Sequence, residues 1–219
     1  MPTTIAGQVN RLAETMAAQP PNEIMATFTR EQADLAARGG PAGAIGVGAR
    51  LLDAGLLDPH GATTSLYAAL GDRLSVLVFY RGAWCPYCNI ALNTYQAELV
   101  PELDRRDVGL VALSPQIPDG SLSTQEKNEL TFIVLSDSGN QVATAVGIVT
   151  APAPEARAAQ LQLGLDLTAV NADGTPGLPM PTTVIVDADR VVRWIDVHPD
   201  YTTRSEPGQI LAALDTLAL

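Results

Sequence analysis

The chain contains two cysteines, and both lie in the stretch YRGAWCPYCNIAL, residues 80–92. Cys85 and Cys88 have the C-x-x-C spacing that is typical of redox pairs and of half a metal site. A β-rich apolar run, SVLVFY (75–80), precedes the pair, and a helical pattern follows it. We therefore expect Cys85 at the start of a helix, with Pro86 at the first helical position, where its missing N–H costs no hydrogen bond.

This placement predicts a reactive thiol at Cys85. Unpaired backbone N–H groups and the positive end of the helix dipole favour the ionised form of a cysteine. Cys88 follows about one helical turn later, can close a disulfide with Cys85 and is expected to be less exposed. The spacing therefore predicts that Cys85 attacks and Cys88 resolves. Arg81 could add positive charge, although a solvated loop arginine is an equal alternative.

The same pair has weaker interpretations. A structural zinc needs four ligands, and the two histidines, His60 and His198, lie far apart without metal-ligand spacing. An iron–sulfur cluster shared between subunits and two inert core thiols are further alternatives. The flanking Trp84, Pro86 and Tyr87 and the strand–helix junction argue against inert thiols. We expect no bound cofactor and no metal.

The surrounding elements predict an α/β protein. Buried strands are predicted at 75–80, 108–114 and 131–137, each followed by a helix, and a hairpin is predicted in TTVIVDADRVVRWIDV (182–197). The helix at 121–130 is expected to begin with a capping box formed by Ser123 and Glu126, and a last helix closes the chain. This order indicates a thioredoxin-like fold, a mixed central sheet flanked by helices.

Two amphipathic helices precede this core within residues 1–38, with Asn22 as an N-cap and Gly39 as a stop. We divide the chain into an N-terminal helical extension, residues 1–40, and a thioredoxin-like domain, residues 41–219. Residues 39–72 are Gly-rich and predicted to be irregular. The extension is expected to dock either on the core or on a partner subunit.

Composition excludes several classes of function. The net charge of −11 and the lack of a basic stripe argue against nucleic-acid binding. No apolar run reaches the roughly 18 residues of a membrane span, and the N-terminus lacks the basic and apolar regions of a secretory signal. We therefore expect a cytoplasmic protein that binds neither membrane nor nucleic acid.

A second candidate feature is GLPMPTT, residues 177–183. Pro181 follows a Pro/Gly loop, and Thr182 opens the hairpin strand. In thioredoxin-type folds this position holds a cis-proline that faces the cysteine pair, and a cis peptide aims the adjacent backbone at the site. We therefore expect a cis peptide at Pro181.

Several segments together resemble the peroxiredoxin-like AhpC/TSA family of thioredoxin-fold proteins. They are VFYRGAWCPYCNIALNTYQ, ALSPQ, LSTQEKNEL, VLSDSGN and LPMPTTVIVDADRVVRWIDVHPDYTTRSEP, together with the two N-terminal helices. The resemblance implies a thiol-dependent antioxidant oxidoreductase that reduces peroxides, with Cys85 peroxidatic and Cys88 resolving. It also implies a dithiol or low-molecular-weight thiol as reductant, and a homodimer.

The chain departs from the family pattern beside the cysteines. Gly82 stands where peroxiredoxins place a Thr or Ser, three residues before the peroxidatic cysteine, and Phe79 and Tyr80 stand where they carry a proline. Arg193 is the first candidate for the arginine that holds the thiolate in this family, and Arg204 is a weaker one.

Two other functions stay open at this point. CPYC is identical to the glutaredoxin active site, so a thiol–disulfide oxidoreductase without a peroxide step, acting on a disulfide substrate, is the main alternative. A non-catalytic module that recruits a partner through the N-terminal helices is the third hypothesis.

Overall fold

A seven-stranded mixed sheet runs through the molecule, whose computed structural model describes residues 4–20 and 22–217. In spatial order the strands are β2 (Thr63–Ser65), β1 (Gly55–Leu57), β5 (Ile133–Ser136), β4 (Gly109–Ser114), β3 (Ser75–Phe79), β8 (Thr182–Val186) and β9 (Val192–Val197). Strand β3 pairs parallel with β4 and antiparallel with β8. A separate ribbon pairs β6 (Val149–Thr150) with β7 (Leu178–Pro179). The expected α/β class with a mixed sheet is confirmed.

Helices flank this sheet. They are α1 (Ile5–Ala17), α2 (Glu23–Arg38), α3 (Leu66–Leu70), α4 (Pro86–Thr94), α5 (Val100–Arg105), α6 (Pro118–Lys127), α7 (Gln141–Val146), α8 (Pro154–Gln162), α9 (Leu167–Val170) and α10 (Pro207–Thr216). A π-helical turn, Tyr95–Leu99, joins α4 to α5, and a 3₁₀ turn, Ser138–Asn140, precedes α7. Because helices cover both faces, β3, β4 and β8 are buried along their whole length.

The sheet separates two apolar clusters. One contains both cysteines and packs Tyr95 and Ile210 against the sheet. The other lies around α3 and α7 and includes Leu66 and Val142. The cysteine pair therefore lies on the face covered by α4 and α10.

Two details of the predicted elements are wrong. Helix α6 begins at Pro118, so the backbone of Ser123 lies inside the helix and cannot form the predicted cap. Proline suits the first helical position, because its fixed φ matches the helix. The helix therefore begins at Pro118, three residues before the predicted start. The hairpin of β1 and β2 occupies part of the segment predicted to be irregular.

The two N-terminal helices are present, and they dock on the core of the same chain. Ile5 N and Ala6 N donate to the Glu206 carboxylate at 2.9 and 2.8 Å, and Ile5 is 1% exposed. Asn22 caps α2 as predicted, accepting from Ile24 N at 2.9 Å. Among the described residues, no helix is long and apolar enough to cross a membrane.

Candidate active site

The cysteine pair lies where β3 passes into α4. Cys85 is the N-cap of α4, with an extended backbone (φ −86°, ψ 113°), and Pro86 follows it at the first helical position. Cys88 lies in the first turn. Both cysteines are free thiols with 0% exposure, so the expected difference in exposure between them is absent.

Cys88 receives hydrogen bonds from two distant parts of the chain. Arg204 Nη2 donates to Cys88 Sγ at 3.0 Å, and Arg81 N donates to it at 3.4 Å. Burial alone raises the pKa of Cys88, but the hydrogen bond from Cys85 and the charges of Arg204 and Arg81 outweigh it. The pKa of Cys88 therefore lies well below its ordinary value.

Cys85 has the opposite environment. Burial raises its pKa, and the hydrogen bond and negative charge of Cys88 raise it further, against the charges of Arg81 and Arg204. The Cys85 side chain accepts no capping hydrogen bond from the backbone of α4. These contacts favour a thiolate at Cys88 and a protonated thiol at Cys85, the reverse of the order expected from the sequence.

Arg204 is clamped behind the cysteines by the segment that precedes α10. It is 7% exposed, and its Nη1 donates to the carbonyls of Tyr201 and Thr203 at 2.7 and 2.5 Å. Tyr95 OH, in the π-helical turn, donates to Ser205 O at 2.7 Å. The guanidinium is thus held by backbone carbonyls on one side and faces Cys88 on the other.

A hydrogen-bonded cluster fixes the same segment from the hairpin side. His198 Nε2 lies 3.0 Å from Asp196 Oδ2, and His198 Nδ1 lies 2.8 Å from Thr203 Oγ1. Ser205 Oγ donates to Asp196 Oδ2 at 2.8 Å. Because Ser205 and His198 contact the same carboxylate oxygen and Ser205 is fully buried, the cluster is a brace for the segment that carries Arg204.

Arg193, the first sequence candidate for holding the thiolate, lies elsewhere. Its side chain is 47% exposed, and its Nε donates to Asp187 Oδ2 at 2.6 Å within the hairpin. Strand β9 points Arg193 outward, whereas the segment after it returns Arg204 to the cysteines. The weaker candidate, Arg204, therefore has the contact that was expected of Arg193.

Arg81 is buried rather than solvated. Its Cζ lies 3.9 Å from the ring centre of Tyr201 and 5.0 Å from that of Trp84. The ring of Tyr87 lies 6.2 Å from that of Tyr201, centre to centre. Aromatic faces attract a guanidinium, so these rings hold Arg81 beside the pair.

Gly82 fits a space that accepts no side chain. Its φ is +150°, and a Cβ built there would lie 2.5 Å from Trp84 Nε1 and 2.9 Å from Gln116 Oε1. Gln116 Oε1 accepts from Ala83 N at 2.5 Å, and Asn89 Nδ2 donates to Ala83 O at 2.9 Å. The loop before Cys85 is thus pinned from two sides. Gln116 follows the adjacent parallel strand β4, and the ends of such strands commonly carry site residues. This position is the one sequence signal that could have identified Gln116 as a site residue.

The expected cis peptide at Pro181 is wrong, because the described residues contain no cis peptide bond. The chain runs extended from β7 into β8, with Met180 N donating to Ile148 O at 2.8 Å, and a trans peptide continues that path. Pro181 shares a small cavity with Arg81 and Tyr201. Thr182 is buried and pairs with Phe79 on β3, so it borders the strand that leads to the cysteines.

A largely apolar groove of about 450 Å³ opens over Cys85. The N-terminal helices form one wall of it, through Met16, Met25, Phe28 and Gln32. The remaining lining comes from the cysteine loop, α4, α8 and the segment after β9: Arg81, Trp84, Cys85, Pro86, Tyr87, Gln160, Leu163, Gly164, Leu165 and Tyr201. Cys85 therefore lines the groove, and Cys88 does not. In the described part of the chain, no three His, Cys, Asp or Glu side chains are grouped to hold a metal ion.

Known proteins are similar to this chain in sequence pattern and in fold. A sequence model of the AhpC/TSA family matches residues 47–195. Peroxidoxin BcpB from Mycobacterium tuberculosis is similar in structure, with 21% identity, a TM-score of 0.61, and coverage of 79% of this chain and 98% of that one. Reduced Prx3 from Vibrio vulnificus, solved in complex with H₂O₂, has 20% identity and a TM-score of 0.63 over 78% of this chain and 99% of its own. A comparison with curated protein sequences finds no match.

Proposed function

We propose, from the premise that this chain belongs to the AhpC/TSA family, that it is a thiol peroxidase in which Cys88 is the attacking thiolate and Cys85 the resolving thiol. The observation that carries the order is the hydrogen bond from Arg204 Nη2 to Cys88 Sγ, at 3.0 Å. The thiolate is the nucleophile in cysteine chemistry, and the contacts that favour it converge on Cys88. The order inferred from spacing alone, with Cys85 attacking, lacks such donors.

The proposed reaction uses both protonation states of the pair. The Cys88 thiolate attacks the terminal oxygen of a hydroperoxide, the O–O bond breaks, and Cys88 becomes a sulfenic acid. The departing oxygen takes a proton, which the Cys85 thiol can supply, and leaves as water or an alcohol. The Cys85 sulfur then attacks Cys88, and the disulfide forms as hydroxide leaves and is protonated to water.

Reduction of the disulfide returns the pair to its starting state. Cys85 lines the groove and Cys88 does not, so an incoming thiolate reaches Cys85 first. Attack there expels Cys88, and a leaving thiol with a low pKa leaves faster. The reductant class we propose is a dithiol protein or a low-molecular-weight thiol, and each cycle oxidises two of its thiol groups.

The same geometry argues against a glutaredoxin-like reaction as the main activity. That reaction begins with an exposed thiolate at the first cysteine, which attacks a disulfide substrate. Cys85 is buried and its pKa is raised. A disulfide substrate is also far larger than hydrogen peroxide, and the thiolate that it would have to reach, at Cys88, does not line the groove.

Stopped-flow oxidation of the reduced protein by hydrogen peroxide tests the proposal, with Cys88→Ser and Cys85→Ser as a matched pair. We expect Cys88→Ser to abolish fast oxidation. Cys85→Ser should still form a sulfenic acid, trapped by dimedone and seen by mass spectrometry, but no disulfide.

Two results count against the proposal. Trapping on Cys85 in the Cys88→Ser variant would restore the order inferred from the spacing. Wild-type oxidation no faster than that of free cysteine, together with turnover of insulin or of a mixed glutathione disulfide, would favour the thiol–disulfide oxidoreductase.

We also retain the homodimer implied by the family as a proposal. Light scattering of the reduced protein during size-exclusion chromatography tests it. A mass of about 46 kDa, twice that of the 23.0 kDa chain, supports the dimer, and the mass of a single chain rejects it.

A further inference from the structure

The N-terminal extension contributes a buried carboxylate near the cysteine pair. Glu31 of α2 is 6% exposed, although burying a carboxylate is costly unless it is well hydrogen-bonded. Its Oε1 accepts from Ala153 N at 2.9 Å, and its Oε2 accepts from Tyr201 OH at 3.1 Å. Both of these donors are uncharged, so no cation compensates the burial of the carboxylate. We therefore expect a role of Glu31 beyond the docking of α2.

Tyr201 connects Glu31 to Arg81, because it contacts both residues. The Glu31 carboxylate fixes the Tyr201 hydroxyl, and Gln32 Nε2 lies 3.4 Å from the same hydroxyl. The face of the fixed ring then supports the Arg81 guanidinium, whose Cζ is 3.9 Å from the ring centre. A guanidinium over an aromatic ring at this distance gains cation–π stabilisation, so the orientation of the ring governs where Arg81 rests.

Arg81 touches the cysteine pair in two ways. Its backbone N donates to Cys88 Sγ at 3.4 Å, and the charge of its guanidinium lowers the pKa of both thiols. A displaced guanidinium would weaken the second effect. The path from α2 to the reacting sulfur therefore runs through the Tyr201 ring to the Arg81 guanidinium, whose charge acts on the thiols.

We infer that Glu31 is a positioning residue for this site: acting through Tyr201, it holds Arg81 against the cysteine pair, which makes the N-terminal extension part of the active site. The inference rests on the proposed function only in taking the Cys88 thiolate as the reacting group. The match to the family model begins at residue 47, so α2 lies outside the matched part of the chain.

The sign of the effect separates positioning from a simple charge effect. Glu31 carries a negative charge, and removing a nearby negative charge favours a thiolate, which lowers its pKa. Loss of a correctly placed Arg81 acts in the opposite direction and raises the pKa. The charged and titratable groups that face the pair, Arg81 or Tyr201 are Glu31, Tyr87 and Arg204. Asp200 faces Tyr87, and Tyr95 faces Arg204.

The test is a pH titration of thiolate absorbance at 240 nm on the reduced full-length protein, with a Cys88→Ser reference for the tyrosine signal. In Glu31→Ala we expect the first apparent pKa of the pair to rise by about half a unit or more, roughly a threefold loss of thiolate at acidic pH. Tyr201→Phe, which keeps the ring and the carboxylate, should shift it in the same direction. The pKa shift in the double variant Glu31→Ala/Tyr201→Phe should be close to that of either single variant, because both substitutions disrupt the same chain of contacts to Arg81.

Glu23→Ala is the matched control, since Glu23 is an exposed carboxylate on the same helix, paired with Arg30. It should leave the titration unchanged. An unchanged or lowered pKa in a folded Glu31→Ala protein overturns the inference. If that variant does not fold, an unchanged titration in Tyr201→Phe overturns it equally. The titration needs no peroxide turnover, so a failed peroxidase assay beside a raised pKa rejects the proposed function alone.

Discussion

Cys88 and Arg204 are 116 positions apart in the chain, and their contact favours a thiolate at Cys88. Cys85 has the helix N-terminus that spacing suggested, yet α4 gives it no capping hydrogen bond. The Arg204 guanidinium, by contrast, donates a hydrogen bond to Cys88 Sγ at 3.0 Å. In the proposed order, the reactivity of the pair therefore depends on a residue that is distant in sequence.

Replacing Arg204 with Gln should raise the pKa of Cys88 and slow the reaction with peroxide. The variant loses the charge that favours the thiolate, so we expect oxidation by hydrogen peroxide near neutral pH to slow by about tenfold or more. The rise of the rate with pH should also move to higher pH. Stopped-flow rates across a pH series measure both effects.

Arg193→Gln is the control for Arg204→Gln, because it makes the same change at the arginine that the hairpin holds on Asp187. It should keep the wild-type rate and pH profile. Equal losses in the two variants would show that general electrostatics, rather than the Arg204 contact, set the reactivity.

Gly82→Ser places a hydroxyl three residues before Cys85, the position that the family resemblance marked when Cys85 was taken as the peroxidatic cysteine, but we expect a cost rather than a gain. A Cβ at this positive φ would lie 2.5 Å from Trp84 Nε1, so the loop must shift. The free energy of unfolding, from urea titration, should fall by about 1–3 kcal/mol. Gly46→Ser is the control, since nothing lies within 4 Å of a Cβ there. A Gly82→Ser protein of native stability with faster peroxide reduction contradicts this expectation.

At the scale of elements, the start of α10 anchors the start of α1. The Glu206 side chain accepts from Ile5 N and Ala6 N, two of the N–H groups that a helix leaves without partners. Helix α1 is therefore capped by a residue from the opposite end of the chain, next to the segment that carries Arg204.

Glu206→Ala should loosen α1. We expect a loss of about 1–2 kcal/mol in the free energy of unfolding, as for other lost N-terminal caps, and faster amide exchange in the first turn of α1. Hydrogen–deuterium exchange with mass spectrometry measures the second effect. Glu14→Ala, on the exposed side of α1, should change neither quantity; equal exchange in the two variants would contradict the anchoring role.

The elements with strong local patterns could be predicted from the sequence, and those fixed by distant contacts could not. Buried runs such as 75–80 and 108–114 formed β3 and β4, because largely apolar stretches suit a sheet that is covered on both faces. Strands β1 and β2 have three residues each and carry no readable alternation. The choice between Arg193 and Arg204 depends on where the chain turns after β9, and no local pattern contains that information. The same applies to Glu31, which reads as one more charge on an amphipathic helix.

At the scale of the whole molecule, stability and redox state are coupled through the pair. The folded protein lowers the pKa of Cys88, so ionisation adds stability that is present above the unfolded value, about 8.5, and is lost as the pH falls through the folded value. Cys85, whose pKa is raised, reverses the trend above the unfolded value.

We therefore expect the free energy of unfolding of the reduced protein, minus that of the disulfide form, to rise with pH between the folded pKa of Cys88 and about 8.5. Urea titrations of both forms at several pH values measure this difference. Ionisable groups that titrate in the same way in both forms do not contribute to this difference. The rise should shrink in Arg204→Gln, and a flat difference in the wild type would contradict the assignment of the thiolate.

The buried position of Arg204 also bears on electron flow. Its guanidinium stabilises the dithiol state through a thiolate that the disulfide state lacks, and oxidation leaves a cation in the core without that partner. An environment that favours the reduced form raises the reduction potential of a disulfide. The disulfide should accordingly be easy to reduce. After each oxidation, even a weakly reducing thiol donor should therefore be enough to regenerate the reduced protein.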